Sequence, residues 1–488
     1  MANSPDIDLH GIARTTVKRY GFDFTIKKPV IDEIKALDPD KLMGGMRGDI
    51  KDLRGLLWSS IDNADSLDLD QLEYCERGSN DEIIVRVAIA DVDLFVPKRS
   101  QTDVYAALNG TSVYTGIENF PMLPIHLSNG LTSLLPDADH AALVVEYSVF
   151  PDGSNVPGKI YRALIRNKAK LVYEEIGGWI EGRTDIPASV SGVTGLKEQL
   201  SLQDEAAARL NKFRIKQGLI EFGTIEPKLV LKGEKVKSIF VEEKSRANSI
   251  IENFMIAANI TISQFLINAG FPMIQRIVRV PKDWKGIVYA AEAFRERLPA
   301  KPDAKALAIF LQKRKIADPE RFPDLSLTII KLLGPGEYMM LEPHATSVGH
   351  FGLAVTDYTH GTAPNRRFVD IIIQRLLKAA LNKQPCPYDK GQLIESSAIC
   401  TDRDSAAKKV ERFMRKAAAA ALLGGRVGEI FDAIVTGVSS HGVYARVENP
   451  PVEGRVMRKQ KGLSVGQKVR VRLIGMDPYK GQIDFERC

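Results

Sequence analysis

The segment Ile61-Asp62-Asn63-Ala64-Asp65-Ser66-Leu67-Asp68-Leu69-Asp70-Gln71 carries four carboxylates within nine positions. In an extended chain Asp68 and Asp70 fall on one face, with Leu69 on the other. Like charges that close are costly unless a cation neutralises them. An all-oxygen donor set suits a hard ion, magnesium or manganese, rather than zinc. A calcium loop counted from Asp62 fails. Glu73 falls at position twelve, but position three is Ala64 and position six is Leu67, where that loop needs glycine. A solvated acidic turn is the competing reading. The flanking Leu56-Leu57-Trp58, Leu67, Leu69 and Leu72 count against it.

A second candidate is Thr362-Ala363-Pro364-Asn365-Arg366-Arg367-Phe368-Val369-Asp370. Pro364 suits the first position of a helix. Arg366 and Arg367 would then sit in its first turn, where the macrodipole disfavours cations. Arg366 before Asp370 is also the weaker order for an i,i+4 pair. A local rule broken twice points to function. Arginines beside free helix N–H groups make a phosphate site, against the plain alternative of a surface arginine pair. A third candidate lies in the helix expected over Ser245–Asn268. Asn248, Glu252 and Asn259 fall within about 40° of one another there, with Asn253 off the stripe. A polar stripe on an apolar helix needs partners. It either closes a structural network or faces the acidic cluster.

These groups need a frame. Ile83–Asp91, Ala142–Phe150 and Leu164–Val172 are rich in β-branched residues and partly alternate, as strands do. Gly110–Pro136 is dense in Pro, Gly, Ser and Asn yet keeps its aromatic and apolar residues, the profile of a functional long loop. Helices are expected at Val17–Tyr20 and Val30–Leu37 in the polar segment 1–50, then at Lys197–Gln217, Ser245–Asn268, Pro364–Leu381 and Ser405–Leu423. Glu181–Gly195 reads as an exposed connection. After Gly424-Gly425, five short Val-rich strands describe a small β-barrel. The fold class is therefore α+β. It comprises a short, mostly helical segment (1–50), one large domain (51–425) and a terminal barrel (426–488).

The 488 residues hold 67 Lys and Arg against 61 Asp and Glu, a net charge of +6. That permits an anionic partner without requiring one. With 44% hydrophobic and 26% charged residues the chain is not a disordered one. No apolar run reaches the ~20 residues of a membrane span, and Met1–Leu9 lacks the apolar core of a secretory signal. Cys75, Cys386, Cys400 and Cys488 form no C-x-x-C pair, and the 7 histidines no H-E-x-x-H. Neither a zinc site nor a disulfide framework is expected, and reduced thiols suit the cytoplasm.

Together these segments resemble the catalytic (RNB) domain of the ribonuclease II / ribonuclease R family, from about Asp52 onward. The matching stretches are SSIDNADSLDLDQ, VAIADVDLFV, GTSVYTG, FPMLPIHLSNGLTSLLP, IIENFMIAAN and HFGLAVTDYTHGTAPNRRFVDIIIQRLLKA. The terminal part resembles the RNA-binding OB fold of the ribosomal-protein-S-one type. The resemblance implies a mixed sheet surrounded by helices, then an OB barrel. It implies processive, metal-dependent, hydrolytic 3′-to-5′ degradation of single-stranded RNA to nucleoside 5′-monophosphates. Asp62, Asp68 and Asp70 match the magnesium-site aspartates, for one or two magnesium or manganese ions, and Asp70 matches the one tied most directly to catalysis. Arg366 matches the arginine on the scissile phosphate, and Arg367 its basic neighbour. Tyr114 matches a tyrosine that clamps a base. Tyr173 and Phe222 match aromatics that stack on the 3′-terminal bases, and Glu252 joins the RNA-binding set.

Three departures stand out. Gln71 replaces a fourth aspartate and removes one charge. Ala363 and Asn365 replace the usual Ser and Ile. The family's paired N-terminal cold-shock domains are expected to be absent, residues 1–50 being too short to hold them. A cytoplasmic monomer acting on single-stranded RNA, with no membrane and no nucleotide cofactor, is the expectation. The alternative is a catalytically weak or inactive RNA-binding protein on the same scaffold.

Overall fold

The computed structural model describes residues 7–46, 49–223, 227–233, 235–241, 243–439 and 442–488. Three helices open it: α1 (Leu9–Arg19), α2 (Lys28–Lys35) and α3 (Pro39–Gly44). A seven-stranded sheet follows, built from β1 (Ile50–Asp52), β2 (Ser59–Asp62), β3 (Gln71–Arg77), β4 (Ile83–Ala90), β7 (Asp139–Val149), β8 (Asn155–Arg166) and β9 (Ala169–Val172). Its order is β1-β8-β7-β4-β3-β2-β9. The pairs inside are antiparallel, while β1 and β9 join in parallel at the two edges. The single strand expected over Leu164–Val172 is thus two strands. Asn167 breaks it: its amide donates to the Leu134 carbonyl at 2.8 Å and its side-chain oxygen accepts the Ala169 N–H at 3.0 Å. Two residues carry the chain from β8 to β9, near opposite ends of the sheet order. So short a link spans only about 10 Å, so the sheet curls until those ends approach.

Between β4 and β7 lie α4 (Gln101–Asn109), the short ribbon β5 (Val113–Tyr114) with β6 (Asn119–Phe120), and a helical turn at Leu127–Leu131. After β9 come α5 (Tyr173–Ile180) and, inside the exposed connection, α6 (Ala188–Ser191). α7 (Leu196–Gln217) and α8 (Arg246–Asn268) then cover one face of the sheet, where the Tyr147 hydroxyl of β7 reaches the Phe254 carbonyl at 3.3 Å. At 23 residues α8 is long and apolar enough to cross a membrane, by composition alone. That corrects the expectation that no run would qualify. Most of it is buried in this core instead, because Ile250, Phe254, Ala258 and Ile262 pack on the sheet. Between α7 and α8 rises the hairpin β10 (Pro227–Lys232) and β11 (Lys235–Val241). A satellite core holds α9 (Trp284–Glu292), α10 (Ala304–Ala317) and α11 (Phe322–Leu333), flanked by the antiparallel pair β12 (Met273–Ile277) and β13 (Glu337–Leu341).

Two helices follow, α12 (Phe368–Leu381) and α13 (Lys390–Leu422). α13 is one helix of 33 residues, starting well before the expected Ser405. Asp389 and Gln392 close a capping box at its start. Val410, Met414 and Ala417 of α13 bury against Leu9, Ile12, Ala13 and Val17 of α1, which is longer than the expected Val17–Tyr20. The chain ends in a closed barrel of β14 (Ile430–Ser439), β15 (Gly442–Val447), β16 (Glu453–Arg458), β17 (Lys468–Asp477) and β18 (Gln482–Arg487). Ile239 of the hairpin belongs to the barrel's apolar cluster, beside Leu423 and Phe431. The hairpin therefore fastens the sheet-bearing domain to the barrel.

Candidate active site

The acidic segment runs from Asp62, the last residue of β2, to Gln71, the first of β3. The sheet pins both ends, and the Gly110–Pro136 loop pins the middle. Ser133 Oγ donates to the Leu67 carbonyl at 2.6 Å and accepts the Leu69 N–H at 3.0 Å. The Leu134 N–H adds a bond to the Leu69 carbonyl at 3.0 Å.

Asp70 is 3% exposed. Its Oδ1 accepts the Asn365 N–H at 2.8 Å, and its Oδ2 lies 3.3 Å from Arg366 Nε. Burial outweighs Arg366 and the N–H, and pushes the Asp70 carboxyl up to about 7. Asp62 accepts the Asn63 N–H at 2.7 Å and the Ser66 hydroxyl at 2.8 Å. Burial raises its carboxyl too, with Arg366 opposing and Asp68 adding to the rise. The Tyr114 hydroxyl donates to Asp68 Oδ2 at 2.7 Å. Burial first, and the Asp68 charge second, hold that phenol protonated far above its ordinary value.

The arginine turn is fastened from several sides. Gly361 donates its N–H to Asn259 Oδ1 at 2.8 Å, and Ala363 donates to Asp370 Oδ1 at 2.8 Å. A Cβ on Gly361 would come within 2.9 Å of Ile262 and 3.0 Å of Ile373, so only glycine lets the turn lie this close to α8 and α12. Thr132 and Asn365 exchange two bonds: the hydroxyl to Asn365 Oδ1 at 2.6 Å, and the amide to the Thr132 carbonyl at 3.1 Å. The Arg366 carbonyl accepts from Thr111 Oγ1 and the Ser112 N–H, both at 3.0 Å. The backbone of Arg366 is thus fixed while its side chain stays 47% exposed.

The structure corrects the reading of this turn. α12 begins at Phe368, not Pro364, and Arg367 stands at its N-cap. The Arg367 side chain is only 19% exposed and donates to Asp370 Oδ1 at 2.8 Å. A buried carboxylate demands that partner. Arg367 therefore braces the turn through Asp370.

The polar stripe of α8 does not act as a unit. The helix starts at Arg246, so Asn248 closes a capping box with Ser245. Glu252 is half-exposed and lies 3.3 Å from Lys244 Nζ. Asn259 alone reaches the site, through the backbone of Gly361. Asn253, off the stripe, is buried and accepts from Arg214 at 2.9 Å. Tyr173 is the first residue of α5, half-buried against the main core. Phe222 packs into the satellite core of Trp284 and Phe322.

Gln71 pairs through its main chain with Ile89. Strand alternation turns its side chain away from Asp70, to the side of Glu73. Among the described residues, no three His, Cys, Asp or Glu side chains converge into a ready ion site. Asp62, Asp68 and Asp70 each turn to their own protein donor. Their chemistry still fits a hard divalent ion, since every donor is oxygen and the raised Asp62 and Asp70 carboxyls would be relieved by a cation.

Sequence reasoning singled out Asn259 but missed the fastening residues Thr132, Ser133, Thr362 and Asn365. Their partners lie more than 60 residues away along the chain, beyond any local pattern. A cavity of about 700 Å³ opens beside Asp68 and Tyr114, walled by Lys228 of the hairpin and by Glu411 and Arg415 of α13.

Comparison with known proteins gives the class first. Residues 429–488 match the RNase II-type exonuclease C-terminal S1 domain, following a catalytic region of the same type, so the chain has the domain architecture of an RNase II-type exonuclease. Residues 50–383 match the RNB domain, more than half of the chain, and the chain belongs to the RNB family of ribonucleases II and R. Ribonuclease R of Aquifex aeolicus is 30% identical over 505 residues, covering 96% of this chain and 69% of that protein. The chain spans 58% to 69% of the length of three such curated relatives. Mycoplasma genitalium RNase R, solved in complex with ribose-methylated single-stranded RNA, superposes with a TM-score of 0.88 at 21% identity, covering 99% of this chain and 78% of that one. Yeast Ssd1, described as a pseudonuclease, superposes at 0.67 with 17% identity, covering 93% of this chain and 56% of that one.

Proposed function

We propose that this protein hydrolyses single-stranded RNA processively from its 3′ end to nucleoside 5′-monophosphates, with magnesium or manganese as cofactor. The observation that carries the reading is the contact of Asp70 with Arg366 and the Asn365 N–H, across 295 and 296 residues of chain, two residues from Asp68, which lines an open cavity. Bound divalent ions would supply an activated water and neutralise the departing 3′ oxygen. Asp62, Asp68 and Asp70 would hold them. The Arg366 guanidinium, on a rigid turn, bears on the charge that develops on the phosphate oxygens. Asp70 holds Arg366 in place through Oδ2. The ring of Tyr114, its hydroxyl anchored on Asp68, offers a base a stacking face that ignores sequence. The RNA complex of the Mycoplasma relative supports RNA as the ligand. Incubation with magnesium and 5′-labelled RNA should give a short end product, abolished by chelator. Asp70→Asn should lose cleavage and keep RNA binding. An intact substrate in both conditions would reject the reading.

Gln71, together with the fold shared with a pseudonuclease, favours a second reading: an RNA-binding protein with little or no turnover. Gln71→Asp separates the two. A large gain from near-zero activity supports the second, and a modest change in an already active enzyme supports the first.

A further inference from the structure

Tyr114 rides on the ribbon of β5 and β6, whose strands hold two residues each. A two-stranded hairpin is marginal in water by itself, so what fastens the ribbon sets its pose. Its root is tied to the arginine turn through Thr111 and Ser112, and Ser112 Oγ also accepts the Met122 N–H at 2.8 Å. Its tip is closed on itself by Thr115, whose hydroxyl donates to the Glu118 carbonyl at 2.7 Å and accepts the Glu118 N–H at 2.9 Å. Tyr114 pairs with Asn119 across the ribbon, one residue from Glu118. A tip that swings therefore carries Tyr114 with it, off its 2.7 Å contact with Asp68.

The N-terminal segment takes hold of that tip. Arg14 of α1 donates from Nε to Glu118 Oε2 at 3.1 Å and from Nη2 to Oε1 at 3.4 Å, and His10 Nδ1 lies 3.3 Å from Oε2. A forked guanidinium–carboxylate contact fixes orientation as well as distance. Phe24 packs on Phe120 with ring centroids 5.5 Å apart, and stacks on Phe22 at the same spacing. The segment is in turn anchored to the body of the molecule. Arg403 of α13 donates to the Gly21 carbonyl at 2.6 Å and sets its guanidinium over the Phe22 ring, 5.4 Å from the centroid. Asn109, the last residue of α4, accepts the Asp23 N–H at 3.0 Å and donates to the Asp23 carbonyl at 2.9 Å. Residues 9–24 thus form a strut from α13 and α4 to the ribbon tip, although they lie ahead of the matched RNB region.

We infer that Glu118, clasped by Arg14, is a positioning residue for Tyr114, and that the N-terminal strut thereby sets how tightly the catalytic cavity grips the bases of a single strand. The inference rests on the proposed reading for what Tyr114 grips. It adds that the strut acts through the ribbon, and not by a contact of its own with RNA.

The test is a charge exchange: Arg14→Glu, Glu118→Arg, and the two together. Arg14 is exposed and Glu118 partly so, and the exchanges leave the core intact. Hydrogen exchange on the free protein, read by mass spectrometry, should quicken over residues 111–122 in each single variant, stay unchanged over β4, and return to the wild-type rate in the double variant. Binding is read in chelator by fluorescence anisotropy on single-stranded RNA of about 4 nucleotides. Each single variant should bind roughly fivefold or more weaker, the loss of part of one stacked base. Glu118→Arg is the sharper of the two, because it adds positive charge toward a polyanion and should weaken binding all the same. The double variant should bind as the wild type does. In a Tyr114→Ala background Glu118→Arg should cost nothing further, because the glutamate acts through that ring, whereas a separate structural part would cost the same factor in both backgrounds. Unchanged exchange over the ribbon, tighter binding by Glu118→Arg, or equal losses in the two backgrounds overturns the inference. If the wild type binds no RNA while the ribbon loosens and recovers as stated, the proposed function fails and the positioning of Tyr114 by the strut stands.

Discussion

Asp70 concentrates the electrostatic conflict of the site. A carboxyl at about 7 when folded, against 3.8 ordinarily, binds more protons in the folded chain than in the unfolded one between those values. Folded stability must therefore fall as pH rises from about 4 to about 7, and level off above. Asp70→Asn removes that titration. Thermal melts of the chelated proteins should diverge over this interval, with the wild type losing ground; parallel curves would mean that Asp70 is not held in the raised state. The two neighbouring arginines should part company as well. Arg366→Ala should cost about 10²–10³ in kcat and lower the melting temperature less than Arg367→Ala does, because Asp70 keeps the Asn365 N–H and can take up a proton. Arg367→Ala should cost about 3–5 kcal/mol of stability, since it strands the buried Asp370. A stable Arg367→Ala with weakened RNA binding would restore the phosphate role that its position beside Arg366 suggests.

At the scale of elements, the loop after α4 is the part that joins everything. It holds the acidic segment through Ser133, and the arginine turn through Thr111, Ser112 and Thr132. Among the described residues, the hydrogen bonds that join the two catalytic elements directly are those of Asp70. The loop is therefore what keeps Asp70 and Arg366 in register. Ser133→Ala removes one hydroxyl that serves two backbone groups, a stability cost of about 1–3 kcal/mol. The expected signature is a drop in kcat with KM little changed, read by steady-state kinetics on a short RNA. A rise in KM alone would place Ser133 in binding. The hairpin of β10 and β11 plays a comparable part for the barrel. Ile239→Asp would bury a charge among Leu423 and Phe431. The barrel junction should then be cut faster in limited proteolysis, at unchanged protease.

Across the whole molecule, a net charge of +6 conceals strong local segregation. Four carboxylates crowd the loop from Asp62 to Asp70, while α13 and the barrel each carry more Lys and Arg than Asp and Glu. A divalent ion that binds only the folded acidic loop must stabilise the entire chain by linkage, by about 2.7 kcal/mol at a hundredfold excess over its Kd. Magnesium should raise the melting temperature of the wild type and do so much less for Asp68→Asn with Asp70→Asn. An equal rise in both would place the ion elsewhere. α13 ties these parts together, packing on α1 along one face while its C-terminal turn enters the barrel core.

The sequence by itself determined the chemistry available: carboxylates crowded on one short segment, an arginine pair after a proline, and a Val-rich barrel after two glycines. It also determined the family, because motif order along the chain is a linear property. Tertiary structure decided which of two adjacent arginines faces solvent, since that depends on Asp370 being buried beside Arg367. It decided that Asn259 serves the site while Glu252 stands outside with Lys244, since the start of α8 sets the helix phase. It decided the pairing of Asp70 with Arg366 as well. Contacts across nearly 300 residues leave no local periodicity to read, and only a curled sheet and a shared loop bring them within 3.3 Å.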